Sequence, residues 1–191
     1  MNKLPKLLGI VGNIGAGKNE VAKWFNQRAD YTIRGYSDPI YEQMAILNPW
    51  ISNQGTSPWR AARYNDIVAE YGVEHAKRMY PEVRQYLRLL GTECGRDIFG
   101  HDCWLRVMDE RRSDDRATII QGVRFPNEVD HIQGNGGEII WVSSPRETPP
   151  DPSHYSEVAI RPSEVADWGV YNNTTIQDLH NRLELTFGDL L

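Results

Sequence analysis

Leu7-Leu8-Gly9-Ile10-Val11-Gly12-Asn13-Ile14-Gly15-Ala16-Gly17-Lys18-Asn19 is an apolar run that ends in the spacing G-x-x-x-x-G-K. That spacing is the phosphate-binding P-loop pattern, with Asn19 where a serine or threonine usually follows the lysine. Leu7–Val11 is expected as a buried parallel strand. Gly12, Gly15 and Gly17 let the backbone turn tightly and come close to an anion. The N–H groups of Gly12, Asn13, Ile14, Gly15, Ala16 and Gly17 can then point into one concavity and cradle a phosphate. A helix opening at Lys18, Asn19 and Glu20 adds its positive N-terminal dipole. Lys18 would reach toward the β- and γ-phosphates of a nucleotide. The other reading is a glycine-rich turn without a ligand. The strand–loop–helix context weighs against it, because Glu20-Val21-Ala22-Lys23-Trp24-Phe25 spaces apolar residues as a helix does.

Asn19 bears on the metal. The usual hydroxyl ligates Mg²⁺, and an asparagine carbonyl is also a hard oxygen that Mg²⁺ accepts, directly or through water. The opposing reading is a nucleotide site that has lost its metal.

The chain has 191 residues, enough for one well-filled core and at most a small inserted subdomain. Its net charge of −5 argues against a general nucleic-acid or membrane surface. Sixteen arginines stand against five lysines. Arginine grips phosphate bidentately, so this balance suits small phosphorylated ligands, although a coding bias toward arginine gives the same count. Cys94 and Cys103 lack metal-ligand spacing and fit a reduced, cytoplasmic setting. The N-terminus reads as no signal peptide, and no apolar run approaches a membrane span.

Along the chain, helices are expected over 18–28, 40–47, 61–79, 81–90, 93–98, 102–112, 126–132 and 175–185. Strands are expected over 31–34, 117–123, 138–142 and 168–171. Loops are expected over 48–60, which holds Trp50 and Trp59 for either base stacking or packing, and over 144–156, which holds four prolines. Strands alternating with helices, several of them apolar on both faces, imply a mostly parallel sheet covered on two sides, a three-layer α/β sandwich.

Four segments beyond the P-loop carry polar groups at strand or helix ends, where open α/β sheets place their ligands. They are Ser37-Asp38-Pro39-Ile40, Arg84 through Arg96, Gly122-Val123-Arg124-Phe125-Pro126-Asn127-Glu128, and His154 with Ser156-Glu157. Together with Gly12–Lys18, and with Gly91-Thr92-Glu93, Ile132 and Gly136-Gly137, they resemble the tailed-phage deoxynucleoside monophosphate kinases in order and register. The resemblance implies an adenylate-kinase-like P-loop fold, one domain over 1–191. It also implies a helical acceptor-binding region over about 39–112 and a mobile lid loop over about 144–157.

It further implies roles. Lys18 and the P-loop amides would hold the phosphates of ATP, with Mg²⁺ at Asn19. Arg84, Gly91, Thr92, Trp104, Arg124 and Glu128 would line a nucleoside monophosphate site, with Asp38, Ile40 and Arg88 in the matching segments. Arg146 would cover the transferring phosphoryl group, making Lys18, Arg124 and Arg146 the catalytic set. The partner is then a small substrate rather than a nucleic-acid polymer or a membrane, in the host cytoplasm if the chain is viral; a homodimer stays open.

Each residue also has a plainer reading. Arg84, Arg96 and Arg124 could form structural ion pairs, Glu128 could pair with Arg124, Trp104 could be core, Asp38 could be a helix cap, and His154 could be a loop residue. The chain departs from the family pattern at Asn19 (Asp there), Glu20 (Thr or Ser), Tyr41 (Lys), Arg88 (Gln) and Gly122 (an acid). These departures keep two alternatives open: a kinase with another small phosphorylated acceptor, and a nucleotide-binding regulatory protein with a decayed metal site.

Overall fold

The computed structural model describes residues 3–52, 61–112, 116–149 and 158–191. The chain divides into two compact units, one of Met1–Tyr36 with Met108–Leu191 and one of Ser37–Val107.

In the first unit, β1 (Leu7–Val11) is buried at every position. A strand with both faces covered must be apolar throughout, which is what LLGIV supplies. β1 pairs in parallel with β5 (Thr118–Gln121) on one side and with β6 (Glu138–Ser143) on the other. β2 (Thr32–Arg34) and β7 (Trp168–Tyr171) complete the edges, also in parallel. The order is β2-β5-β1-β6-β7, so the P-loop leaves the central strand.

Leu8, Ile10, Ile119, Ile140, Val142 and Val170 pack with Val21, Trp24 and Phe25 of α1 (Lys18–Ala29). They also pack with Leu179, Leu183 and Phe187 of the helix Ile176–Phe187. On the other face Gly9 meets Ile132 of α8 (Pro126–Gly134), and a Cβ at Gly9 would lie 2.7 Å from the Ile132 Cδ1. Helices on both faces of an all-parallel sheet give the expected three-layer α/β sandwich. A short helix, α9 (Pro162–Val165), which sequence reading misses, precedes β7; the closing helix Ile176–Phe187 is therefore α10.

The second unit is helical: α2 (Asp38–Leu47), α3 (Tyr64–Tyr71), α4 (Val73–Met79), α5 (Pro81–Gly91), a π turn over Thr92–Arg96, α6 (Asp97–Phe99) and, crossing into the first unit at its end, α7 (Cys103–Arg111). Its core is Met44, Ile51, Tyr64, Ile67, Ala76 and Val83. Two expectations fail here. The single helix over 61–79 is broken at Gly72, whose φ of 77° lies in the region that ends helices. The loop over 48–60 contributes β3 (Trp50–Ile51), which pairs antiparallel with β4 (Ala62–Arg63). There the Arg63 guanidinium lies 4.5 Å over the Trp50 ring, so Trp50 is occupied by a cation; Trp59 lies outside the described residues. No helix among the described residues is long and apolar enough to cross a membrane. Cys94 and Cys103 are both free thiols.

Candidate active site

The loop after β1 is shaped by three glycines with positive φ: Gly12 at 148°, Gly15 at 86° and Gly17 at 104°. A Cβ at Gly12 would overlap the Val142 carbonyl oxygen, so this position takes no other residue. Ala16 turns its methyl into the core and leaves only its backbone to the loop. Gly17 occupies the N-cap of α1 and has no side chain with which to cap it. The first-turn N–H groups of such a helix are an anion site in waiting. The Lys18 ammonium lies over the loop and donates to the carbonyls of Gly12 and Asn13, each at 2.8 Å.

The segment after β6 braces this loop. The Thr148 N–H donates to the Ile14 carbonyl at 2.8 Å. Glu147 accepts from the Asn13 amide at 3.1 Å and from the Ser144 N–H at 3.2 Å. Asn172, just past β7, donates from its amide to the Ala16 carbonyl at 2.9 Å. Glu147 and Asn172 brace the P-loop in a way that the sequence does not signal. A lone acid in a proline-rich loop and an asparagine after an edge strand carry no spacing signal.

A pocket of about 490 Å³ opens beside the P-loop. Gly12, Asn13, Ile14 and Lys18 line one side, Gly122, Val123 and Arg124 another, and Thr148, Val158 and Ile160–Ser163 a third. Arg124 is exposed, and among the described residues no ion pair of its guanidinium is seen. Its turn is held by Glu128. That side chain is 3% exposed and accepts from the backbone N–H of Arg124 at 2.7 Å and of Phe125 at 3.3 Å. Glu128 is therefore a buried clamp on the Arg124 turn, and not a group that lines the pocket. Gly122 has a φ of 69°, and nothing stands within 4 Å of a Cβ built there.

Several expected residues lie elsewhere in this unit. Arg146 is not among the pocket's lining; its guanidinium donates to the Thr174 carbonyl at 2.7 Å and reaches the Asn172 side-chain oxygen at 3.4 Å. Arg161 is the arginine of this stretch that lines the pocket, and its guanidinium pairs with Glu164 at 3.0 Å. Glu20 points to His180 of α10 at 3.1 Å and to Lys23 at 3.8 Å. These contacts brace α1 against α10. Among the described residues no cluster of three His, Cys, Asp or Glu could hold a metal.

The expected residues of the helical unit form a local framework. The Trp104 indole donates its single N–H to the Gly91 carbonyl at 2.8 Å, and its ring fills the space over Gly95. Trp104 is 5% exposed and packs as part of the interior. Ile40 packs on Gly91, where a Cβ would lie 2.9 Å from its Cδ1. Arg84 donates from Nε to the Lys77 carbonyl at 2.9 Å, and Arg88 lies 3.9 Å from Glu93 on an exposed face. Thr92 opens the π turn directly after α5, and Asp38 opens α2. His154, Ser156 and Glu157, with the rest of 150–157, lie outside the described residues.

A sequence model described as deoxynucleotide monophosphate kinase matches residues 43–183. A protein of Acanthamoeba polyphaga mimivirus, assigned as a deoxynucleotide monophosphate kinase, is 25% identical over 93% of this chain and 93% of its own length. The deoxynucleoside-5'-monophosphate kinase of Escherichia phage T5 is 23% identical over 66% of this chain and 71% of its own. A solved shikimate kinase from Acinetobacter baumannii aligns over 98% of this chain and 96% of that chain at 15% identity, with a TM-score of 0.48. So loose a likeness adds nothing to the strand order. With most of the chain covered by that family's pattern, this protein belongs to the deoxynucleotide monophosphate kinase family.

Proposed function

We propose that the pocket beside the P-loop is the phosphotransfer centre, and that the protein moves the γ-phosphoryl group of ATP to the 5′-phosphate of a deoxynucleoside monophosphate. A phosphate oxygen of the monophosphate attacks the γ-phosphorus in line, the bond to the bridging oxygen breaks, and ADP leaves with the diphosphate product. Such a reaction asks the protein for position and for cancellation of negative charge, not for a nucleophile.

The observation that carries the reading is the convergence of Lys18, the P-loop backbone and Arg124 on one pocket of about 490 Å³. The P-loop amides would hold the nucleotide phosphates. Lys18 would exchange its two carbonyl partners for phosphate oxygens. Arg124, on a turn fixed by Glu128, would grip the incoming monophosphate. Arg161 on the far wall, on exchanging its Glu164 partner for phosphate, or Arg146 on leaving its Thr174 carbonyl, would cover the transferring phosphoryl group. Mg²⁺ at Asn19 would neutralise charge on the β- and γ-phosphates. In the helical unit, Arg84 and the Gly91-Thr92 turn, with Asp38, Ile40 and Arg88, remain candidates for acceptor binding.

The test is a coupled assay with Mg·ATP against the common deoxyribo- and ribonucleoside monophosphates, run with Lys18→Ala and with excess chelator. The reading expects turnover of at least one deoxynucleoside monophosphate, lost in both controls. Turnover restricted to acceptors other than nucleoside monophosphates would contradict it.

A further inference from the structure

The chain passes from the first unit to the second between Tyr36 and Ser37, and returns between Val107 and Met108. One side chain of the first unit reaches the residues beside both crossings. His131, on α8, has its Nδ1 2.8 Å from the Tyr36 hydroxyl and its Nε2 3.0 Å from each carboxylate oxygen of Asp109. Tyr36 is the last residue before the first crossing. Asp109 is the second after the return. The Tyr36 and His131 rings also meet edge to face, 5.8 Å between centroids.

The proton arrangement is unambiguous for a neutral imidazole. Asp109 can only accept, so Nε2 carries the proton and Nδ1 accepts from the phenol. Tyr36 is 3% exposed. Burial, and then the charges of Glu128 and Asp109, push its ionisation far above the usual range, so the phenol keeps the proton it donates. Three groups thus satisfy one another in a directional chain, where apolar side chains would fill the space without fixing an angle.

The helix that carries His131 also carries Glu128, three residues earlier and so on the same face. Glu128 clamps the Arg124 turn that lines the pocket. A single helix therefore holds the turn of the pocket-lining Arg124 and both chain crossings.

We propose that His131 is a positioning residue: with Tyr36 and Asp109 it clasps both crossings onto α8, and the clasp sets how efficiently the monophosphate is used. This rests on the phosphotransfer reading above. Among the described residues the clasp's hydrogen bonds do not reach the P-loop, so handling of ATP should be indifferent to it.

The experiment uses the full chain with Tyr36→Phe, Asp109→Asn and the double variant. Phenylalanine keeps the buried ring and removes only the hydroxyl, so folding is retained. Amide exchange at residues 36–38 and 107–109 should quicken about tenfold in each single variant. The monophosphate kcat/KM should fall by about tenfold with the KM for ATP unchanged, and the double variant should lose little more than the worse single one. Unchanged exchange, equal shifts for ATP and monophosphate, or fully additive losses would each overturn the clasp. A wild type that turns over no monophosphate would instead overturn the phosphotransfer reading, and the exchange rates would then decide the clasp alone.

Discussion

Arg124 and Trp104 show how differently single residues reveal themselves. Arg124 follows a buried strand and precedes a proline-started helix, so its place at a strand end was legible from residues 118–128 alone. The setting of Trp104 was not legible, because its hydrogen-bond partner is the Gly91 carbonyl, thirteen residues away in the chain. The P-loop was legible because its function is written in backbone conformation, and glycine spacing reports that directly. Glu147, Asn172 and Arg161 were hidden for the opposite reason: their roles come from loops that only the fold brings to the P-loop. Arg124→Gln should lower kcat/KM for the monophosphate by about a hundredfold, the scale of losing one charged donor to a transferring group. Its melting temperature should match the wild type, because the side chain is exposed. Steady-state kinetics alongside thermal melts check both halves.

At the scale of the element, helix starts carry two further expectations. Glu128 is buried and bonded to two backbone N–H groups at the head of α8. Glu128→Ala leaves those donors without a partner in a buried site, at a cost of about 1–3 kcal/mol, readable by denaturant melts. Activity should fall further than stability, since the same turn aims Arg124. At α10 the Thr175 hydroxyl and backbone bond the Asp178 carboxylate in a capping box. Those bonds, the Thr175 hydroxyl first, hold the Asp178 carboxyl below its ordinary 3.8. A carboxyl lowered in the folded state adds stability above its unfolded value, and that contribution disappears as pH falls through the folded value. Asp178→Ala should therefore lower the melting temperature at neutral pH, with the gap to wild type closing in acid below about pH 4. Helix boundaries were read well wherever a proline or cap marked them, as at Pro81 and Pro126. They were misread at Gly72 and at the β3–β4 pair, where two-residue strands are too short to show a period.

For the whole molecule, alternation of strands and helices was enough to foresee a parallel sheet with both faces covered. It was not enough to give the order β2-β5-β1-β6-β7, which depends on crossover connections that no local pattern encodes. That order puts β1 in the centre, with the turn after β5 and the segment after β6 on its two sides. The consequence is a pocket that unites Lys18 with Arg124, more than a hundred residues apart in the chain. Under the proposed function this pocket transfers phosphate rather than merely binding it. The most direct test follows the label from γ-³²P-ATP in the presence of Mg²⁺ and a mixture of deoxynucleoside monophosphates, with wild type and Lys18→Ala side by side. Phosphotransfer puts label in a deoxynucleoside diphosphate with the wild type and none with the variant. Label that stays in ATP, or appears only as inorganic phosphate, would contradict it.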